Sequence, residues 1–98
     1  MPEPWTSRDF TPHLHTIFKI ETPAAIELEL NEVSDRSNER IEQFSLLFNG
    51  PESPMMPQGT YALAHAQMGE VLLFLVPLGP QNRQMVYQAV FMRLIPET

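Results

Sequence analysis

The chain has no cysteine, which excludes a disulfide scaffold, a thiolate nucleophile and a thiolate zinc site, and leaves the redox compartment open. It is poor in basic residues. Six Lys and Arg stand against twelve Asp and Glu, for a net charge of −6 and a pI near 4.8. That is the wrong sign for a domain that binds by neutralising phosphates, so nucleic acid is not the expected partner. Long apolar runs are missing too: Val71 to Leu78, interrupted by Pro77, falls far short of a membrane span. Met1-Pro2-Glu3-Pro4-Trp5 lacks the basic and apolar regions of a signal peptide. The expectation is a soluble cytoplasmic protein with no membrane association. Glycine is limited to Gly50, Gly59, Gly69 and Gly79, each at an expected turn, and none builds a phosphate-cradling loop.

What is present suits one small β domain. Ninety-eight residues, 43% of them hydrophobic, can fill a single core and leave nothing over for a second, so residues 1–98 form the expected domain. Ten prolines mark where elements must stop, because proline removes a ladder donor and fixes φ. Between them, Ile26-Glu27-Leu28-Glu29-Leu30-Asn31 alternates apolar and polar, the period of a strand with Ile26, Leu28 and Leu30 inward. Glu32-Val33 breaks the phase, and the polar residues Ser34 to Glu39 read as a loop. Ile41 to Phe48 forms the next strand, with Phe44, Leu46 and Phe48 on one face and Asn49-Gly50-Pro51 closing it.

Further along, Tyr61-Ala62-Leu63-Ala64-His65 puts Tyr61, Leu63 and His65 on one face and only alanines on the other, as for a strand closely approached on its second side. Val71 to Val76 is apolar on both faces, the pattern of a central strand covered twice over and ended by Pro77. Val86 to Leu94 alternates Val86, Val90, Met92 and Leu94 against Tyr87, Ala89, Phe91 and Arg93. Ile17 to Glu21 makes a first strand, preceded by a short helical segment over about 6–13 that Thr6 or Ser7 caps. Strands then fill about 16–95. The fold class is all-β, a small antiparallel barrel or sandwich of about six strands with a short N-terminal helix, and Trp5 is placed to plug one end.

Charge is segregated. Residues 21–42 hold seven of the acids against Arg36 and Arg40, while residues 43–98 hold only Glu52, Glu70, Glu97, Arg83 and Arg93 and no Lys. About a quarter of residues are charged in an average domain, so the later half presents a neutral surface suited to another chain. Two adaptable thioethers, Met55 and Met56, on a proline-bounded loop suit the same purpose. Glu27 and Glu29 lie on the wet face of a strand. There they stay ionised rather than serving as a general acid, and their oxygens are open to Arg side chains of a partner.

Three histidines are the remaining candidates for chemistry. His13 and His15 share a face if the chain is extended, and His65 would be a third imidazole ligand in a metal-dependent enzyme. A triad drawn from Ser7, His15 and Asp9, or from Ser45, His65 and Asp35, lacks any nucleophile elbow or oxyanion-hole signal. Neither a catalytic residue nor a cofactor is assigned.

Phe44-Ser45-Leu46-Leu47-Phe48-Asn49-Gly50-Pro51, Pro57-Gln58-Gly59-Thr60-Tyr61, Leu73-Phe74-Leu75-Val76-Pro77-Leu78-Gly79-Pro80 and Tyr87-Gln88-Ala89-Val90-Phe91 resemble the pattern of a small bacterial domain-of-unknown-function family. That pattern reads F-S-L-x-F-x-G-P, P-Q-G-T-Y, L-F-L-V-P-x-G-P and Y-x-A-x-F, and the family's upstream D-F-x-P is matched by Asp9-Phe10-Thr11-Pro12. The matched positions are core and turn residues, so the resemblance implies a shared fold and supplies no catalytic group. It further implies an association with phage tail-collar-like proteins, hence an accessory of a tail-like or fibre assembly. The chain departs from the pattern at Gln88, where an acidic residue is common, and in the loop Pro54-Met55-Met56-Pro57.

The first functional expectation is a non-enzymatic protein-interaction or structural module with a protein partner or a homo-oligomer, using Met55, Met56, Glu27 and Glu29. The alternative is a small-molecule-binding β-barrel whose cavity is lined by Tyr61, His65, Phe74 and Tyr87. A metal-dependent enzyme using His13, His15 and His65 is the third.

Overall fold

Alternation along six segments dictates six strands, and the computed structural model, which describes residues 5–22 and 24–94, closes them into one antiparallel barrel. Residues 1–4, 23 and 95–98 lie outside the described residues. The elements are a helical turn α1 (Ser7–Phe10), a 3-10 turn (Thr11–His13), and strands β1 (Ile17–Ile20), β2 (Ile26–Asp35), β3 (Ile41–Pro51), β4 (Gly59–His65), β5 (Gly69–Gln81) and β6 (Gln84–Leu94). Around the barrel they run β1-β2-β3-β6-β5-β4, with β4 returning to β1 through Lys19–Ala64 and Ile20–Leu63. The fold is thus two three-stranded meanders joined along β3–β6 and closed along β1–β4. Among the described residues no helix is long and apolar enough to cross a membrane.

The rows expected inward on β2, β3 and β4 are buried: Ile26, Leu28 and Leu30; Phe44, Leu46 and Phe48; Tyr61, Leu63 and His65. Phe18, Leu28, Leu30, Leu46, Phe48, Leu63, Val71, Leu75 and Tyr87 are buried in one continuous core. Each end of the barrel is stoppered by a segment outside the sheet. At one end, Asp9 accepts the Thr6 backbone N–H at 2.8 Å and holds α1 so that Phe10 drops into the mouth against Phe18, Phe44 and Phe91 at centroid separations of 6.4, 6.0 and 5.8 Å. Trp5, expected as the plug, is half-buried and packs against Phe10. Phe10 is the stopper. At the opposite end, residues 52–58 cross from β3 to β4 and push Met56 into the core, its N–H donating to the Tyr87 hydroxyl at 2.8 Å.

Four expectations need correction. The phase break at Glu32-Val33 is a bulge between Leu30 and Glu32, not a strand end, so β2 continues to Asp35 and the loop is shorter. A bulge adds a residue, which reverses the alternation while the ladder persists. Gly50 is not a turn residue but lies within β3 beside Leu28. Pro77 does not end β5, which runs through Pro77 and Pro80 to Gln81. Past Leu75, the last residue paired with β4, β5 has only β6 beside it, and on a free edge a missing N–H costs no ladder bond. Finally, β5 is covered on its inner face alone: Leu72 and Phe74 stand in solvent.

Candidate functional site

The expected site residues fall in four places. His13 and His65 meet at the α1 mouth with ring centroids 4.6 Å apart, but His15 turns away on a positive φ of 67° and lies 3.3 Å from Glu29. The chain there is a 3-10 turn rather than extended, so the shared face of His13 and His15 is lost. His65 is 8% exposed, and its Nδ1 accepts backbone N–H groups of Gln67 at 3.0 Å and Met68 at 3.1 Å. The ring proton is therefore on Nε2, which donates to Thr16 Oγ1 at 2.9 Å, while that hydroxyl donates to the His13 carbonyl. Burial, then the neighbouring His13, hold the His65 pKa below its usual 6.5. Both ring nitrogens are engaged in tying the N-terminal plug to the β4–β5 turn. Among the described residues no group of three or more His, Cys, Asp or Glu is placed to share a metal ion.

The triad candidates also separate. Ser7 Oγ donates to Asp35 Oδ2 at 2.6 Å, and Asp35 Oδ1 accepts the Ser37 N–H at 2.8 Å. These bonds, the one from Ser7 first, lower the Asp35 pKa and pin α1 to the end of β2. Ser45 sits at mid-β3 opposite Val90. Of the four residues expected around an interior ligand, Tyr61 and Tyr87 are core residues whose hydroxyls meet Pro57 O and the Met56 N–H. Phe74 points outward and cannot line the interior, which the apolar side chains named above occupy.

The two methionines part as well. Met55 is 53% exposed, whereas Met56 is 2% exposed and belongs to the core, so its thioether is not offered to a partner. The hydroxyls of Tyr61, donating to the Pro57 carbonyl, and Tyr87, accepting the Met56 N–H, hold the strap in place, and adjacent residues on an extended strap point to opposite sides. Glu27 and Glu29 are on the outer face of β2, near Lys19 at 3.9 Å and His15 at 3.3 Å.

The feature that residue-by-residue reading missed is on β5 and β6. Leu72, Phe74, Val90, Met92 and Leu94 are between 50% and 77% exposed. Their outward rows converge at the pair Val76–Gln88, beyond which β5 and β6 pair no further, and spread toward the α1 mouth. Exposed Ala62 lies opposite Leu72 and exposed Thr60 opposite Phe74 on β4, so small neighbours leave the large side chains proud. Ile41, Gln43, Ser45 and Leu47 continue the face onto β3 through their pairs with β6. Glu70 is charged on these outward rows of β3, β5 and β6, and Arg93 is exposed at the end of β6 between Met92 and Leu94. Beside the end of β6 an open socket of about 270 Å³ is lined by Trp5, Phe44, Phe91 and Met92, with the Arg93–Glu42 ion pair at its rim. The sequence signal was available: a strand apolar on both faces, next to a strand whose outward residues are alanines.

In the barrel order β2 lies directly opposite β5. Glu27 and Glu29, on the outer face of β2, thus sit across the barrel from Leu72 and Phe74, whereas Glu32, paired with Leu47 of β3, lines an open pocket with Ser45, Leu47, Gln88 and Val90.

A family model, Domain of unknown function (DUF6916), matches residues 5–91. No curated protein matches, and no solved structure does.

Proposed function

We infer that this chain, which belongs to the DUF6916 family of domains of unknown function, acts as a non-enzymatic docking module that presents one neutral, apolar side of its barrel to a protein partner. The observation that carries this reading is the outward pair of rows Leu72/Phe74 and Val90/Met92/Leu94. At ~200 Å² for a fully exposed large side chain, the five together leave roughly 600 Å² of apolar surface in water. Both barrel ends are stoppered from within the chain, so the face stands on a scaffold that need not rearrange to bind. The setting implied by the family resemblance is an accessory of a tail-like or fibre assembly.

The test is affinity capture from the native cell with the tagged wild-type chain and with a Leu72→Lys/Met92→Glu double variant, which leaves net charge unchanged. Both positions are exposed, so far-UV circular dichroism and melting temperature should match the wild type. Loss of the captured proteins supports the reading, and identical capture refutes it.

A further inference from the structure

We propose that the outer face of the β2–β3–β6 sheet binds a neutral carbohydrate, in an open pocket of about 300 Å³ that shares only Val90 with the apolar rows of the docking reading. The bulge builds this pocket. Inward alternation through Ile26, Leu28 and Leu30 would carry Glu32 and Ser34 into the core, but the extra residue between Leu30 and Glu32 reverses the phase and turns both outward. Register then aligns rows across the three strands: Glu32 with Leu47 and Gln88, and Ser34 with Ser45 and Val90. One step further, Arg36 lies beside Gln43, whose carbonyl accepts its N–H at 2.8 Å. β3 is the floor. Gln43, Ser45 and Leu47 are half-buried although they face outward and only β2 and β6 flank them, and Ser34 and Gln88 are half-buried too. Exposed Glu32, Arg36 and Val90 form the rim.

The lining selects the ligand. Among the described residues, the side chains of Glu32, Ser34, Arg36, Gln43, Ser45 and Gln88 all line the pocket and make no hydrogen bond or ion pair within the chain; the bonds here belong to the main chain and to Ser37. Two hydroxyls and two primary amides each both donate and accept, and one carboxylate is balanced by one guanidinium. That inventory matches a ligand without net charge whose own groups both donate and accept, as the hydroxyls of a sugar do, while Leu47 and Val90 offer apolar contact to the C–H face of its ring. Other classes fit worse. An anion meets Glu32 and a cation meets Arg36. A divalent cation finds one carboxylate where it needs several oxygen ligands. An apolar side chain would cover the Gln43 and Gln88 amides without partnering them. A peptide strand finds no edge, because β3 has a paired strand on each side over Phe44–Asn49.

The test is a titration of the isotope-labelled chain, followed by amide chemical shifts, with methyl glucoside, methyl galactoside, methyl mannoside, N-acetylglucosamine and maltose to about 50 mM, the range of weak single-site binding. Glycerol, sodium phosphate and sodium acetate are the controls. At least one saccharide should give saturable shifts confined to residues 32–36, 43–47 and 88–90 and to the side-chain amides of Gln43 and Gln88. Ser45→Ala/Gln88→Ala should weaken that binding roughly tenfold or more, the loss of two hydrogen-bonding groups, at unchanged melting temperature, and Leu72→Lys should bind as the wild type does. No saturable shift with any of the saccharides, equal shifts with glycerol, or binding of phosphate or acetate in their place overturns the proposal. So does saccharide binding that the double variant leaves intact. The docking reading is untouched by any of these results, since its own test measures protein capture through Leu72 and Met92.

Discussion

Acidification should loosen the N-terminal plug through one imidazole. His65 accepts two backbone N–H groups on Nδ1 and donates from Nε2 to Thr16. A second ring proton would have to point at the Gln67 and Met68 amides, so the folded chain keeps the ring neutral and its pKa lies below the usual 6.5. The unfolded chain takes up that proton near its ordinary value. Between the two pKa values the unfolded state binds more protons, and stability falls as pH falls, by up to about 1.4 kcal/mol per pH unit. The contribution is therefore complete above pH 6.5 and declines below it until the folded state also titrates. His65→Asn separates this from other causes. An Asn side-chain oxygen can still accept the turn amides, but it does not titrate and loses the Thr16 bond and the Phe18 contact at 4.4 Å. Urea unfolding followed by Trp5 emission at pH 8, 7, 6 and 5 should show the variant about 1–3 kcal/mol weaker at pH 8 and flatter below pH 6.5. The other group with a displaced pKa, Asp35, is lowered from 3.8, so its contribution is present above that value and is lost only as pH falls below it, outside the window. Parallel profiles for wild type and His65→Asn would refute the assignment.

Met56→Ala should cost about 2–4 kcal/mol of unfolding free energy, as for other buried Met truncations, while exposed Met55→Ala should stay within about 0.5 kcal/mol; equal urea midpoints would show that the strap is not anchored by Met56. Gly50→Ala places a Cβ 2.5 Å from Leu28 Cδ2, with Tyr87 and the Glu27 carbonyl behind it. Overpacking of about 1–3 kcal/mol outweighs the ~0.4–1 kcal/mol gained from a stiffer unfolded chain, so the melting temperature should drop by several degrees, and an unchanged value would mean that Leu28 moves aside freely.

Wherever one rule acted alone, the residues could be read. Alternation placed Ile26, Leu28, Leu30, Phe44, Leu46 and Phe48 inward, because a one-residue slip would have put every one of them in water. The errors arose where two rules met. Glu32-Val33 obeys alternation only after one residue is added, and a bulge and a loop look alike until the partner strand is known. Pro77 forbids a central strand but not an edge, and whether β5 is an edge there depends on where β4 ends. Met55 and Met56 are the same residue in sequence terms. Only the crossing of the strap over the barrel, set by β4 returning to β1, decides which of them is inside. The apolar double face of Val71 to Val76 had two explanations, a layer of this chain or a layer of another, and local pattern does not distinguish them.

The placement of charge bears on that second explanation. A barrel with Leu72, Phe74, Val90, Met92 and Leu94 in solvent would associate through any apolar neighbour if its remaining surface were neutral. Here Glu27 and Glu29 of β2 stand opposite β5, and every approach that presents one β2 face to another carries a like-charge penalty. Under the docking proposal such like-charge approaches are disfavoured, a selection that an apolar surface, non-directional on its own, does not supply. Glu27 and Glu29, expected from the sequence as contact residues, lie on the outer face of β2 beside Lys19 and His15.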